Sequence, residues 1–200
     1  MDERIYTVSE VRECTIATPL PSHIRRIVLR NVGLVRVTTP QNWIHTIEAH
    51  NTRDLTTILR QELFPALHTI IINHTTTPVS LRGVAHITRL LQITDASAVF
   101  DLGALVLCRT IMLCGVYSQF SLYGLRASQR LRSISLVQTP GCMDQLLVLA
   151  AIPSLRMIVT QYIQQDDVLS RTFRERGVTV VALEDAPPAT KHLRCVCCSV

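Results

Sequence analysis

The stretch that decides the fold is LRSISLVQTPGCMDQLLVLAAIPSLRMIVT, residues 131–160. Leu131, Ile134 and Leu136 place apolar side chains three and then two positions apart, and Leu155 and Ile158 begin the same pattern 24 residues later. Side chains two positions apart face the same side of a β-strand, so the end of each pattern predicts a short, half-buried strand. The interval predicts that each strand is followed by a turn and a return segment before the next strand begins.

This pattern occurs eight times, at intervals of 20 to 24 residues, with starts at positions 24, 44, 67, 87, 108, 131, 155 and 177. The fourth occurrence is imperfect because Gln92 takes its last apolar position, and a register that begins at Leu90 is the alternative there. No single unit can bury its apolar positions alone, so neighbouring units must stack on one another. Their strands are therefore predicted to lie side by side in a parallel sheet.

We call the repeated apolar positions the apolar ladder. The ladder and its period resemble those of the leucine-rich repeat family over about four-fifths of the chain. The Asn or Cys that usually follows the ladder is mostly replaced here by Thr, Val or Asp, so no subclass is assigned. The resemblance implies an α/β solenoid, with a curved parallel sheet on its concave side and helices and irregular turns on its convex side. It also implies a non-catalytic scaffold or adaptor that binds a protein partner through the concave face, without a cofactor.

Three segments are predicted along the chain. Residues 1–23 are expected to form an N-terminal cap with a helix over 2–13, residues 24–185 a solenoid of seven or eight repeats, and residues 186–200 a flexible tail. Apolar spacing and cap residues predict helical return segments over 53–64, 141–155 and 166–177, the last capped by Asp166 and ended by Gly177. Pro78 and Gly83 predict turns or 3₁₀ pieces in the return segment 75–86.

The composition predicts a large aliphatic core and a basic surface. The chain is 48% hydrophobic, 4% aromatic and 18% charged, with a net charge of +5. Lys191 is its single lysine, and every other basic charge is an arginine, which binds carboxylate and phosphate bidentately; genomic composition is the alternative origin of this bias. Without a signal peptide or a membrane-spanning apolar stretch, we expect an intracellular, cytoplasmic chain whose cysteines remain thiols.

The strand positions outside the ladder define a candidate partner-binding surface on the concave face. Positions are counted from the first apolar residue of each unit. The second position is mainly basic, the third mixes arginine with hydroxyl residues, and the fifth is mostly apolar. Such a surface is suited to a protein partner with acidic and aliphatic side chains, although exposed arginines can also simply keep a sheet soluble. The residues selected are Arg25, Arg26, His45, His68, Arg89, Arg109, Met112, Arg132, Arg156 and Val159.

An RNA-associated subunit of a ribonucleoprotein is the alternative use of the arginine strip, with phosphates as its ligands. The strip lacks the aromatic side chains on which bases stack, which favours a protein partner. His45 and His68 are expected on adjacent strands as ordinary surface residues, so no metal site is predicted. No motif for nucleotide binding, acyl transfer or zinc hydrolysis occurs, and neither an enzyme nor a small-molecule substrate is predicted.

The tail carries the remaining candidate site. Pro187 and Pro188 form an extended spacer before a cluster of Cys195, Cys197 and Cys198. The last four residues match a prenylation signal only loosely, while the cluster could also accept palmitate beside Lys191 and Arg194. Lipidation would make the chain a membrane-anchored adaptor, and an unmodified thiol tail is the alternative.

Overall fold

The computed structural model describes residues 4–55, 59–117, 120–164 and 167–183 and shows an α/β protein built on one large parallel sheet. Nine strands follow one another across this sheet in chain order: β1 (Arg4–Ser9), β3 (Ile24–Arg30), β5 (Thr46–His50), β6 (Thr69–Thr75), β8 (Leu90–Ala96), β10 (Thr110–Cys114), β11 (Ser133–Val137), β12 (Met157–Thr160) and β13 (Thr179–Ala182). Two small sheets lie outside it, one pairing β2 (Glu13–Ile16) with β4 (Leu34–Val37) and one pairing β7 (Val79–Ser80) with β9 (Val99–Phe100).

The sheet has one face buried in the core and one open face. In β10, Ile111 and Leu113 are buried, whereas Met112 and Cys114 are half-buried and lie on the open face. The same alternation places ladder residues of the neighbouring strands, such as Ile134 and Leu136, in the core. The eight strands expected from the apolar ladder are thereby confirmed as neighbours in one parallel sheet.

The helix expected over 2–13 is wrong for the described residues, because β1 and β2 occupy this segment. β1 is an additional edge strand, in which Tyr6 pairs with Ile27 and Val8 with Leu29. Its sequence RIYTVS turns Tyr6 and Val8 towards the core while Ile5 and Thr7 remain exposed. This period of two, with β-branched residues, favours a strand over a helix.

The register expected for the fourth unit is also wrong. Thr69 of β6 pairs with Leu90, which puts Leu91 and Ile93 into the core and Gln92 on the open face. The structure therefore has neither the register Ile87-Leu90-Gln92 nor the alternative register that begins at Leu90. The expected register is one residue too early. The two core positions of the strand must be two residues apart, as Leu91 and Ile93 are, whereas the loop before the strand tolerates one extra residue.

The return segments are less helical than their apolar spacing suggests. Helix α1 (Val168–Glu175) confirms a helix within the expected range 166–177, with Gly177 at φ 71° beyond its end. Its N-cap is Asp167, whereas the expected cap Asp166 lies outside the described residues. Residues 140–151 form consecutive 3₁₀ turns instead of an α-helix, and they bury Leu146 and Leu149 at a spacing of three.

Two further expectations about the return segments have separate outcomes. Within 53–64 the described residues form a bridge at Asp54 and a turn at 61–63 and not the expected helix, while residues 56–58 lie outside the described ranges. The turns expected over 75–86 are confirmed in part by the 3₁₀ turn Arg82–Val84, which follows β7.

A left-handed residue closes most strands of the large sheet. These corner residues have φ between 48° and 64° and are Glu10, Asn31, Asn51, His74, Asp95, Gly115 and Gln138. After every corner except Glu10 the next residue turns into the core, as buried Thr52 and Thr75 do. The Thr75 hydroxyl donates to the Thr52 carbonyl oxygen at 3.2 Å. Threonine thus hydrogen-bonds one unit to the next at the ninth position of the pattern.

Candidate binding surface

Seven basic residues occupy equivalent positions at the N-terminal edge of the large sheet, and we name them the arginine row. Parallel pairing aligns each with the next, since Thr46 pairs with Thr69, Thr69 with Leu90, and Leu90 with Thr110. Strands in a sheet are about 4.8 Å apart, so the row places one basic residue at each such step. Its members are Arg25, His45, His68, Arg89, Arg109, Arg132 and Arg156.

The corrected register makes the row more basic than the sequence predicted. The second position of the fourth unit is Arg89 and not Thr88, because Leu90 is the residue that pairs with Thr69. The amide of Arg89 accordingly donates to the carbonyl oxygen of His68 at 3.1 Å. Arg89 therefore moves from the open face, where it was expected, into a continuous line of five arginines and two histidines.

The arginines of the row have no acidic partner within the described chain. Arg89, Arg109, Arg132 and Arg156 are exposed, and no described carboxylate forms an ion pair with any of the row's five arginines. Arg156 instead donates to the carbonyl oxygens of Pro153 and Leu155, at 3.2 and 3.0 Å. These five arginines are consequently a band of positive charge without an acidic partner in the described ranges, and such a band attracts anionic ligands.

One end of the row contains an aromatic platform that the sequence pattern did not reveal. The guanidinium carbon of Arg25 lies 5.5 Å from the ring centroid of Trp43, a side chain that is 51% exposed. The rings of His45 and His68 are 5.1 Å apart, which confirms that these histidines lie on adjacent strands. Trp43 comes from the loop before β5, outside the repeated pattern, so only its spatial approach to Arg25 reveals it.

The open face near β3 and β5 carries a charged network. Glu48, which is buried, accepts hydrogen bonds from Arg26 and from Nε2 of His50. The Nδ1 atom of His50 lies 3.3 Å from the side-chain amide nitrogen of Asn73 on β6. Arg26 was selected as a partner-binding residue, and the structure instead commits its guanidinium to Glu48.

The pKa of His50 is lowered from its ordinary value of 6.5, first by burial and then by the positive charges of Arg30 and Arg26. Both ring nitrogens are satisfied in the neutral form, because Nε2–H donates to Glu48 and Nδ1 accepts from Asn73. A proton on Nδ1 would face an amide that is itself a donor. The folded chain therefore resists protonation of His50.

A pH dependence of stability follows. We expect the free energy of unfolding to fall as the pH is lowered from about 7 to about 5, because unfolded His50 takes up a proton that the folded chain resists. His50→Gln should make this pH dependence shallower, whereas His23→Gln, at an exposed position, should not. Urea denaturation across this pH range measures both slopes, and equal slopes for wild type and His50→Gln would contradict the expectation.

The two apolar residues selected for partner binding have different outcomes. Met112 lies half-buried on the open face between Gln92 and Ser135, where a ligand can reach it. Val159 lies on the same face but is only 2% exposed, so its side chain offers little surface for contact. It is a short side chain that lies between Ser135 and Val181 on the neighbouring strands.

The fifth position was expected to be mostly apolar, with Glu48 and Ser135 already among its members, and the corrected register adds Gln92 to its polar residues. In the structure this position contains the polar residues Glu48, Gln92 and Ser135 between apolar ones. Gln92 replaces Leu91 because of the corrected register. The open face is thus a mixed surface, and the arginine row is its most distinctive neighbour.

No ligand set for a metal ion is found in the described ranges, where no group of three or more His, Cys, Asp or Glu side chains converges. Burial raises the pKa of the Cys108 and Cys142 thiols, which are packed in the core. Cys195, Cys197 and Cys198 lie outside the described residues. In the ranges that the structure covers, no helix has the length and apolarity needed to cross a bilayer.

Comparisons with protein-family models, curated proteins and solved structures gave no match to this chain.

Proposed function

We propose that the chain is a leucine-rich-repeat solenoid that acts as a non-catalytic protein-interaction scaffold or adaptor. Chain-order stacking of nine parallel strands with regular left-handed corners supports the solenoid. The partner is a protein segment with acidic and aliphatic side chains, and it lies along the arginine row and the adjoining open face.

The observation that carries this proposal is the positive charge of the row's five arginines, which form no ion pair with a described carboxylate. Arg89, Arg109 and Arg132 are exposed, directly precede successive strands, and make no ion pair with a described carboxylate. Guanidinium groups hydrogen-bond carboxylates through two parallel N–H donors, so regularly spaced arginines suit a chain of acidic residues. Half-buried Met112, three residues beyond Arg109, provides an apolar contact for the partner's aliphatic side chains.

Charge reversal tests this proposal. The probe is a fluorescently labelled 15-residue peptide of alternating Glu and Leu, and its binding is followed by anisotropy. The triple variant Arg109→Glu, Arg132→Glu, Arg156→Glu should lose about 100-fold or more in affinity, since each contact becomes repulsive. The control variant Arg60→Glu, Arg82→Glu, Arg171→Glu changes net charge equally at exposed positions outside the row. Equal losses in both variants would show that the row does not bind the peptide.

A second candidate function rests on the exposed Trp43 beside Arg25. An aromatic ring and a basic row together are the elements of a single-stranded RNA surface. A labelled 12-nucleotide oligouridine distinguishes this RNA-associated function from the first. Binding tighter than that of the acidic peptide, with affinity falling steeply as salt rises and after Trp43→Ala, would replace the first proposal with the second.

The membrane-anchored adaptor remains a proposal about the Cys-rich tail. Its test is mass spectrometry of the C-terminal peptide from native cells. Attached prenyl or palmitoyl groups at Cys195, Cys197 or Cys198 would support it, and an unmodified tail that retains Val200 would exclude it.

A further inference from the structure

A polar cavity of about 500 Å³ lies along the arginine row, beside the starts of β10, β11 and β12. Four of its six lining side chains are guanidinium groups, and the other two are an amide and a hydroxyl. The lining residues are Arg109, Gln129, Arg130, Arg132, Ser154 and Arg156. No carboxylate and no aromatic ring is among them.

Three of these arginines are brought together by the register of the sheet. Thr110 pairs with Ser133 and Ser133 with Met157, so the preceding residues Arg109, Arg132 and Arg156 align on consecutive strands. The amides of Arg132 and Arg156 continue this alignment by donating to the carbonyl oxygens of Arg109 and Arg132, at 2.8 and 2.9 Å. The backbone positions of these three arginines therefore lie within about 10 Å of one another.

The loop before β11 supplies a fourth guanidinium and an amide. Arg130 and Gln129 precede this strand and face the same cavity, although neither belongs to the repeated pattern. Ser154 is fixed from the other side, because its hydroxyl donates to the carbonyl oxygen of Leu131 at 2.9 Å. The cavity is thus walled by loops from two consecutive units and lined mainly by hydrogen-bond donors.

Four like charges around one cavity repel one another unless an anion occupies it. Arg109, Arg130 and Arg132 make no ion pair with a described carboxylate that could relieve this repulsion. Arginine binds phosphate bidentately, and a phosphate monoester brings a charge of about −1.5 to −2 and three acceptor oxygens. A phosphodiester brings a single negative charge, and this lining offers no ring for its base.

We propose that this cavity binds the phosphate monoester of a phosphorylated Ser or Thr in the partner protein. The inference rests on the proposed function, because it makes the acidic segment that lies along the arginine row a phosphorylated one. Arg109, Arg132 and Arg156 contact the phosphate from the sheet edge, while Arg130 closes over it from the loop. The same chemistry could come from free phosphate, which the experiment below separates from the partner's side chain.

The test compares two labelled 15-residue peptides of Glu and Leu that differ only in a central serine or phosphoserine. Phosphorylation should tighten binding about tenfold at constant salt, since a phosphate accepts more charge-assisted hydrogen bonds than a carboxylate. Arg130→Gln should abolish this gain and leave binding of the serine peptide nearly unchanged, because Arg130 lies outside the row. Arg171→Gln, an equal loss of charge on exposed α1 surface, should preserve the gain.

The lysine variant Arg132→Lys refines the test, because it retains the charge and loses the planar pair of donors. It should reduce the gain from phosphorylation while leaving the thermal transition of the chain unchanged. Inorganic phosphate should displace the phosphopeptide only at concentrations well above those of the peptide. Displacement at equal concentrations would assign the cavity to free phosphate and overturn the inference.

The failures of the two proposals are distinguishable. If both peptides bind equally tightly and Arg130→Gln has no effect, the phosphate site is wrong while the acidic-partner function stands. If neither peptide binds, both proposals fail. Tighter binding of oligouridine than of phosphopeptide, lost in Arg130→Gln, would assign the cavity to a nucleic-acid backbone instead.

Discussion

Replacing Gly124 by alanine is expected to lower the free energy of unfolding by about 3 kcal/mol, which is large for adding a single methyl group. A Cβ atom on Gly124 would lie 2.5 Å from the Cα atom of Gly103 and 3.0 Å from its nitrogen. These glycines belong to the 3₁₀ turns Leu102–Ala104 and Tyr123–Ala127, which stack on each other between consecutive units. Because both clashing atoms are backbone, relief requires the turns to separate.

Gly177→Ala is the matched control for this prediction. Nothing lies within 4 Å of a Cβ atom at Gly177, but its φ of 71° disfavours any side chain. Its substitution should therefore cost only about 1 to 2 kcal/mol, from the left-handed conformation alone. Urea denaturation of both variants measures the two costs. A smaller loss for Gly124→Ala than for Gly177→Ala would show that the turns can move apart without consequence.

The close approach of Gly103 and Gly124 illustrates what the sequence could not predict. Its repeated pattern located the sheet, because ladder residues such as Ile134 and Leu136 must alternate towards the core in any register that buries them. The return segments have no such constraint. In the α-helix expected over 141–155, Leu147 would share the apolar face with Leu146 and Ala150. It is 56% exposed instead, because a 3₁₀ period of three places Leu146 and Leu149 in the core.

The candidate surface shows the same division. Arg109, Arg132 and Arg156 could be aligned from the sequence, since they precede three strands whose ladders are regular. Arg89 was displaced by one position because Leu90 and Leu91 are both apolar and only strand pairing decides which enters the core. Arg130 and Trp43 come from loops, whose approach to the row depends on packing between units and on no period along the chain.

Ile111→Ala should be the most destabilising simple truncation in the middle of the sheet, at a cost of about 3 to 4 kcal/mol. Ile111 is 0% exposed and sits on β10 between Leu91 and Ile134, so the cavity left by its missing carbons has no surface to collapse towards. Each strand of the large sheet pairs only with its neighbours in chain order. Damage at β10 therefore weakens the coupling between the two halves of the sheet, as expected for stacked units.

Met112→Ala provides the control, because it removes a side chain of similar size from the next position of the same strand. Met112 is half-buried on the open face, and its truncation should cost about 1 kcal/mol or less. Urea denaturation gives both free energies, and the loss of coupling should also reduce the steepness of the transition for Ile111→Ala. Equal costs for the two variants would contradict the assignment of core and open faces on which the alignment of the arginine row depends.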